Sequence, residues 1–329
     1  MRIAVDAMGG DNSPKAIVEG ALETVSQLQS DDHIILVGDE QRILELLGES
    51  SKWQDKISVV NAQEVIEMHE SPVDSLRKKP KSSIAIMAKL SKDGEADIVL
   101  SAGNTGACVA ACQMRMRLLP QVQRPGIMVT FPTLAGPIIL CDVGANVAPK
   151  PVHLYQYGLM CDVYAREVLG NKNPTLGLIN IGEEESKGTG LAKEVNQMFR
   201  ADSSLNFIGN VEPRELLNKP ADILICDGFA GNIILKLTEG IAEAVFKFIG
   251  NEVAIQKPEL LPQFAPIVEK IYKKHDYNEY GGAPLLGVDG IGIICHGNSD
   301  RRTIKNAILA ALKHGRLNIN EKIVARLAK

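Results

Sequence analysis

Short runs rich in valine and isoleucine recur along this chain, separated by stretches with helical spacing. The runs fall at 3–7, 33–37, 57–61, 97–101, 127–131, 138–143, 175–181, 205–208, 222–227 and 292–295. Several are apolar throughout, the pattern of strands covered on both faces. Helical patterns fill 14–29, 82–92, 106–118, 150–169, 187–200, 233–253 and 300–314, the first with Ser13 at its N-cap and Pro14 at its first position. Strand and helix in alternation predict βαβ units and an α/β fold with a largely parallel sheet.

The 329 residues suit one large α/β domain or two smaller ones. Without a low-complexity linker the chain is read as a single unit, with a possible seam at the turn-like 145–150. Hydrophobic residues at 45% and charged residues at 23% support an ordinary core. A net charge of −4 speaks against a nucleic-acid binder. Cys108, Cys112, Cys141, Cys161, Cys226 and Cys295 form no CxxC pair, which predicts buried thiols and no metal site. The start of the chain carries no leader pattern, and no apolar run nears about 20 residues. The expected location is therefore cytoplasmic, with membrane-surface contact left open.

One stretch breaks the pattern. Residues 246–280 carry Pro258, Pro262 and Pro266 among Leu260, Leu261, Phe264, Ile267 and Val268. Prolines at that spacing predict short helical pieces and a projecting hairpin with an apolar tip. Such a tip serves a dimer or caps the core, or else it meets a membrane or an acyl chain.

The chemistry is expected in loops after the strands, where α/β proteins place ligands. Six segments share glycine with Asn, Ser, Thr or Asp: 6–14, 101–107, 142–146, 180–190, 227–232 and 295–301. Glycine admits close backbone approach, and helix-start N–H groups favour anions. Together they predict one shared anion-binding site. No GxGxxG follows the first strand, and no GxxxxGK[ST], HExxH or GxSxG occurs, so a phosphate group fits better than a nucleotide. The segment 64–72 contains His69, structural or catalytic, and leads to Arg77, Lys78, Lys79 and Lys81. That basic run is either a solvated face or a dock for an acidic partner.

Taken together, segments 6–14, 64–79, 101–107, 142–146, 180–190, 226–240 and 281–300 resemble the phosphate acyltransferase family of bacterial phospholipid synthesis, the PlsX proteins. The resemblance spans nearly the whole chain. It implies transfer of a fatty acyl group from acyl carrier protein to inorganic phosphate, giving acyl phosphate. It also implies a homodimer, peripheral membrane association, and neither metal nor nicotinamide. The implied fold is a three-layer α/β/α structure with a mixed sheet of about ten strands, similar to isocitrate and isopropylmalate dehydrogenases and to phosphotransacetylases.

For that reaction the leaving thiolate has a conjugate acid near pKa ~8.5, so positioning and charge stabilisation matter most. The expected phosphate-binding residues are Gly9, Gly10, Asp11, Asn12 and Ser13 with Ser101, Gly103, Asn104, Thr105 and Gly106. Lys187, read as standing where its loop enters a helix, is the leading cation. Asn232 is the donor to the thioester oxygen, His296 or His69 the acid for the thiolate, and Asp227 an orienting group. The 233–248 helix or the hairpin after it lines the acyl path. Rival readings are a short-chain phosphotransacetylase using acyl-CoA, a metal-dependent decarboxylating dehydrogenase, and a non-catalytic scaffold for carrier protein and membrane.

Overall fold

The computed structural model describes residues 1–49, 53–274 and 281–328. Its strands are β1 (Arg2–Asp6), β2 (His33–Gly38), β3 (Ile57–Asn61), β4 (Ile98–Ser101), β5 (Gly126–Phe131), β6 (Ile138–Cys141), β7 (Thr175–Ile179), β8 (Asn206–Val211), β9 (Ile223–Ile225), β10 (Ala283–Leu286) and β11 (Ile291–Ile294). They form one sheet of 11 strands in the order β3-β2-β1-β4-β11-β10-β5-β6-β9-β7-β8. The helices are α1 (Lys15–Thr24), α2 (Glu40–Leu47), α3 (Pro72–Lys78), α4 (Ser83–Lys92), α5 (Thr105–Ala111), α6 (Pro151–Glu167), α7 (Gly190–Ala201), α8 (Gly228–Gln256), α9 (Leu261–Lys274), α10 (Arg301–Gly315) and α11 (Ile319–Leu327).

Successive strand residues go to opposite faces, as a period of two requires. In β1, Ile3 and Val5 pack with α1 and α10, while Ala4 joins the other face. In β6, Ile139 and Cys141 pack towards α6 and α7, while Ile138 and Leu140 share the core of Ala4. Helices therefore cover both faces, and the sheet is the middle of three layers. The expected three-layer, largely parallel mixed sheet is present, with one strand more than predicted. β10 had escaped notice because Pro284 interrupts its apolar run and glycines bracket it. It is a central strand nonetheless, pairing antiparallel with β11 on one side and with β5 on the other.

That strand changes what the sheet does to the loops. Three successive antiparallel pairings, β11 with β10, β10 with β5 and β5 with β6, reverse the strand direction. β6, β9, β7 and β8 are mutually parallel but run against β1, β4 and β11. Their C-terminal ends point the opposite way. The glycine-rich loops thus follow two oppositely directed sets of strands rather than one.

Other expectations are corrected. Ser13 does not cap α1; its hydroxyl donates to Met8 O (2.9 Å) and Gly10 O (2.8 Å), and Pro14 precedes the helix without a side-chain cap. Helix α8 runs unbroken from Gly228 to Gln256, past both ends of the expected 233–253. Pro266 lies inside α9 instead of ending it, while Pro258 opens a short 3-10 turn between α8 and α9. No residue of α8 beyond Leu235 is buried, so the helix leaves the core ten residues earlier than the hairpin was expected to start. Of that expected hairpin, residues 275–280 lie outside the described residues. All six cysteines are buried and free. Burial pushes the Cys295 thiol up to about 12.

Candidate active site

The first loop group gathers where β1, β4 and β11 end side by side. Asp6, the last residue of β1, is fully buried. Its carboxylate accepts from Ser101 Oγ (2.7 Å) and from Met8 N (3.1 Å). Burial raises its pKa, against the hydrogen bonds that it accepts. Ser101 Oγ also accepts from Gly103 N (3.0 Å). Gly9 packs so closely on this turn that a Cβ there would stand 2.6 Å from Gly103 N. The β11 loop closes the group: Asp11 N donates to Gly297 O (2.7 Å), and Asn12 Nδ2 donates to Asn298 O (3.1 Å) and Ser299 O (3.2 Å).

Asn104 ties in a fourth segment. Its Oδ1 caps α5 by accepting from Ala107 N (3.0 Å), and its Nδ2 donates to Glu67 O, Met68 O and Glu70 O at 3.0–3.2 Å. His69 is thereby brought beside the group with its side chain exposed. Thus Ser101, Asn104 and Ser13, and Asn12 through its Nδ2, all expected to bind phosphate, hold the loops together. Gly103 is buried, Gly10 and Thr105 are half-buried, and Asp11 and Gly106 are exposed.

The second group is built on Asp142, buried directly after β6. Its carboxylate accepts from the backbone N–H groups of Ile127 (3.0 Å), Gly144 (3.1 Å), Ala145 (2.9 Å) and Asn146 (2.8 Å). Burial pushes its pKa up against these four amides. The loop it shapes receives the start of α8: Gly228 N donates to Asn146 O (2.9 Å). A Cβ at Gly231 would stand 1.9 Å from Asp142 O. Asp227 caps α8, accepting from Ala230 N (2.8 Å). It orients the helix start rather than Lys187, Asn232 or either histidine.

Lys187 is exposed and lies before its helix, not in it. Thr189 caps α7, which starts at Gly190, and the Lys187 carbonyl accepts from Asn180 Nδ2 (3.2 Å). Among the described residues no hydrogen bond or ion pair joins its side chain to Asn232 or His296.

Helix α8 connects the two groups. It starts on the Asp142 loop, packs Leu235 into the core, and brings Lys236 to His296 in the β11 loop. His296 Nδ1 lies 2.7 Å from Asn298 Oδ1, so it donates there. That leaves Nε2 as the acceptor for the Lys236 ammonium, which also lies 3.3 Å from Glu239 Oε2. The ring thus faces the Lys236 ammonium with its Nε2 lone pair. Asn232 and Lys236 are one helical turn apart on one face of α8. Lys236 lies outside the expected site residues. The available signal was its spacing of four from Asn232 in a helix that follows a glycine-rich strand end.

Of the expected docking cations, Lys79 is tied down, donating to Glu70 Oε2 (2.6 Å) and Val65 O (2.7 Å). The pair holds the Glu70 carboxyl below the usual range. Arg77, Lys78 and Lys81 remain exposed. At the hairpin, Leu260 and Ile267 are exposed, and Leu261, Phe264 and Val268 are half-buried. Among the described residues no helix is long and apolar enough to cross a membrane.

Comparison with known proteins agrees over the whole chain. A family model described as fatty acid synthesis protein matches residues 1–322. A phosphate acyltransferase of Geotalea uraniireducens is 44% identical over 332 residues, covering 99% of this chain and 94% of its own. One from Desulfitobacterium hafniense is 46% identical over 314 residues, covering 94% of this chain and 93% of its own. Among solved structures, a phosphotransacetylase from Streptococcus pyogenes superposes with a TM-score of 0.61 at 15% identity, covering 96% of this chain and 94% of that one. That last likeness is one of fold.

Proposed function

Since the chain belongs to the phosphate acyltransferase family and is an acyltransferase, we propose that it moves a long-chain fatty acyl group from acyl carrier protein to inorganic phosphate. The product is an acyl phosphate that serves phospholipid synthesis. The observation that carries this reading is the meeting of Lys236 on α8 with His296 in the β11 loop. It puts a cation where two sets of glycine-rich loops are brought together.

A phosphate oxygen attacks the thioester carbonyl carbon, the carbonyl oxygen takes up negative charge, and the thiolate leaves as the carbonyl re-forms. Phosphate is anionic and needs no strong base. Lys236 and Asn232, on one face of α8, supply charge and a hydrogen bond where charge develops. His296 is the positioning residue for the ammonium. Lys187 remains a phosphate ligand in this reading, and His69 a second candidate to protonate the thiolate.

The donor is read as a carrier protein because Arg77, Lys78 and Lys81 leave an exposed basic face for an acidic partner. Beyond Leu235, helix α8 exposes Leu237 (59%), Ile241 (53%) and Phe248 (70%). A band this apolar calls for a cover. A second copy of the chain is the proposed cover, and the tip with Leu260 and Ile267 is the proposed contact with the membrane surface. A phosphate-dependent transfer assay that compares carrier-protein and CoA thioesters tests the central reading.

A further inference from the structure

A cleft of about 350 Å³ opens beside the first loop group. One wall is the β1 loop, with Met8, Gly10, Asp11 and Ser13; the opposite wall is the segment Val65, Ile66, Glu67 and Met68 after β3. Arg42, in the first turn of α2, completes it. The backbone N–H of Arg42 is spent on the cap, donating to Asp39 Oδ1 (3.2 Å). Its guanidinium is exposed and makes no ion pair or hydrogen bond among the described residues. It is also the one cation lining the cleft.

We infer that this cleft is a subsite for a phosphate group, gripped by the Arg42 guanidinium. A planar guanidinium matches the geometry of two phosphate oxygens and stays charged at any working pH. The volume exceeds what a bare phosphate needs and lies within the range of small-molecule sites. Asp11 and Glu67 share the lining, so a free phosphate dianion meets two carboxylates against one cation. A singly charged phosphodiester is repelled less, and the Met8, Val65, Ile66 and Met68 walls suit an attached chain. The same 64–70 segment leads into the exposed Arg77 and Lys78. The favoured occupant is thus the phosphodiester of the phosphopantetheine arm that carries the donor thioester; the other source of the same chemistry is the phosphate co-substrate. This subsite rests on the reading of the chain as a thioester-to-phosphate acyltransferase.

Two measurements separate the subsite from that reading. Calorimetric titration of the full chain uses the methyl phosphodiester of 4′-phosphopantetheine, pantetheine without phosphate, and inorganic phosphate. Arg42→Ala is expected to weaken the phosphodiester about tenfold and pantetheine not at all, with Arg42→Lys in between. In the transfer assay, the loss in Arg42→Ala falls on the KM for the carrier-protein donor. If inorganic phosphate binding and its KM weaken instead, the subsite stands with the co-substrate as its occupant. Equal binding of all three probes by wild type and Arg42→Ala overturns it. Should wild type bind the phosphodiester through Arg42 yet make no acyl phosphate, the functional reading fails and the subsite survives.

Discussion

The Lys236 ammonium on α8 donates to Nε2 of His296 in the β11 loop, and His296 Nδ1 is held by Asn298 Oδ1 at 2.7 Å. Two segments 60 residues apart thereby fix one positive charge between oppositely directed halves of the sheet. Removing that charge should cost transition-state stabilisation more than ground-state binding. Lys236→Ala is expected to lower kcat by about 10²–10³, the range for loss of one preorganised donor. His296→Ala should cost less, and the double variant little more than Lys236→Ala alone, since the two act as a unit. Steady-state kinetics on the three variants checks this; additive losses would mean that the residues act separately.

The contact of α8 with the Asp142 loop predicts a backbone effect. Gly231→Ala would place a methyl carbon 1.9 Å from Asp142 O, so the helix start must shift. The expected loss of stability is on the order of 2–4 kcal/mol. Activity should fall too, because Asn232 and Lys236 ride on the displaced turns. Gly240→Ala, inside the same helix with open space around it, is the control expected to match or exceed wild-type stability in denaturant titration, by up to about 1 kcal/mol.

Stability should also depend on pH through His314. Its ring packs edge-on against Tyr164, with centroids 5.4 Å apart, and burial lowers its pKa to about 4. The unfolded value is near ~6.5, so between those two values the unfolded state binds more protons. This group leaves stability unaffected above pH ~6.5, removes it progressively as pH falls towards ~4, and removes no more below that. The loss is on the order of 2–3 kcal/mol. Thermal unfolding of His314→Gln should show a flatter dependence across that window.

The exposed band on α8 predicts the state of association. Leu237→Asp combined with Phe248→Asp should convert the proposed dimer to a monomer in sedimentation experiments, with the fold retained, because neither side chain is buried. An unchanged mass would show that the band has another cover.

How much was legible in the sequence differed by range of interaction. The strands at β1, β4 and β11 and their loops could be read locally, since period-two burial and glycine-rich strand ends are short-range signals. That Ser101 and Asn104 would be saturated by Asp6 and by the Glu67–Glu70 carbonyls could not be read, because those partners lie 34–95 residues away. The division of the loops was hidden for the same reason. It depends on β10, whose Pro284 masks a central strand, and on the direction of its pairing with β5. Lys236 looked like any solvated lysine on an amphipathic helix until β11 was placed beside it. Pro266 misled because it lies inside α9, where a proline removes a backbone hydrogen bond, yet the helix continues past it.

The most direct test is acyl phosphate formation by the purified chain. Palmitoyl-acyl carrier protein and inorganic phosphate are mixed with it, and the product is trapped with hydroxylamine as the hydroxamate. The account predicts trapped product that requires phosphate, is lost in Lys236→Ala, and forms far faster from the carrier-protein thioester than from acetyl-CoA. No phosphate-dependent product, or equal use of acetyl-CoA, would contradict it.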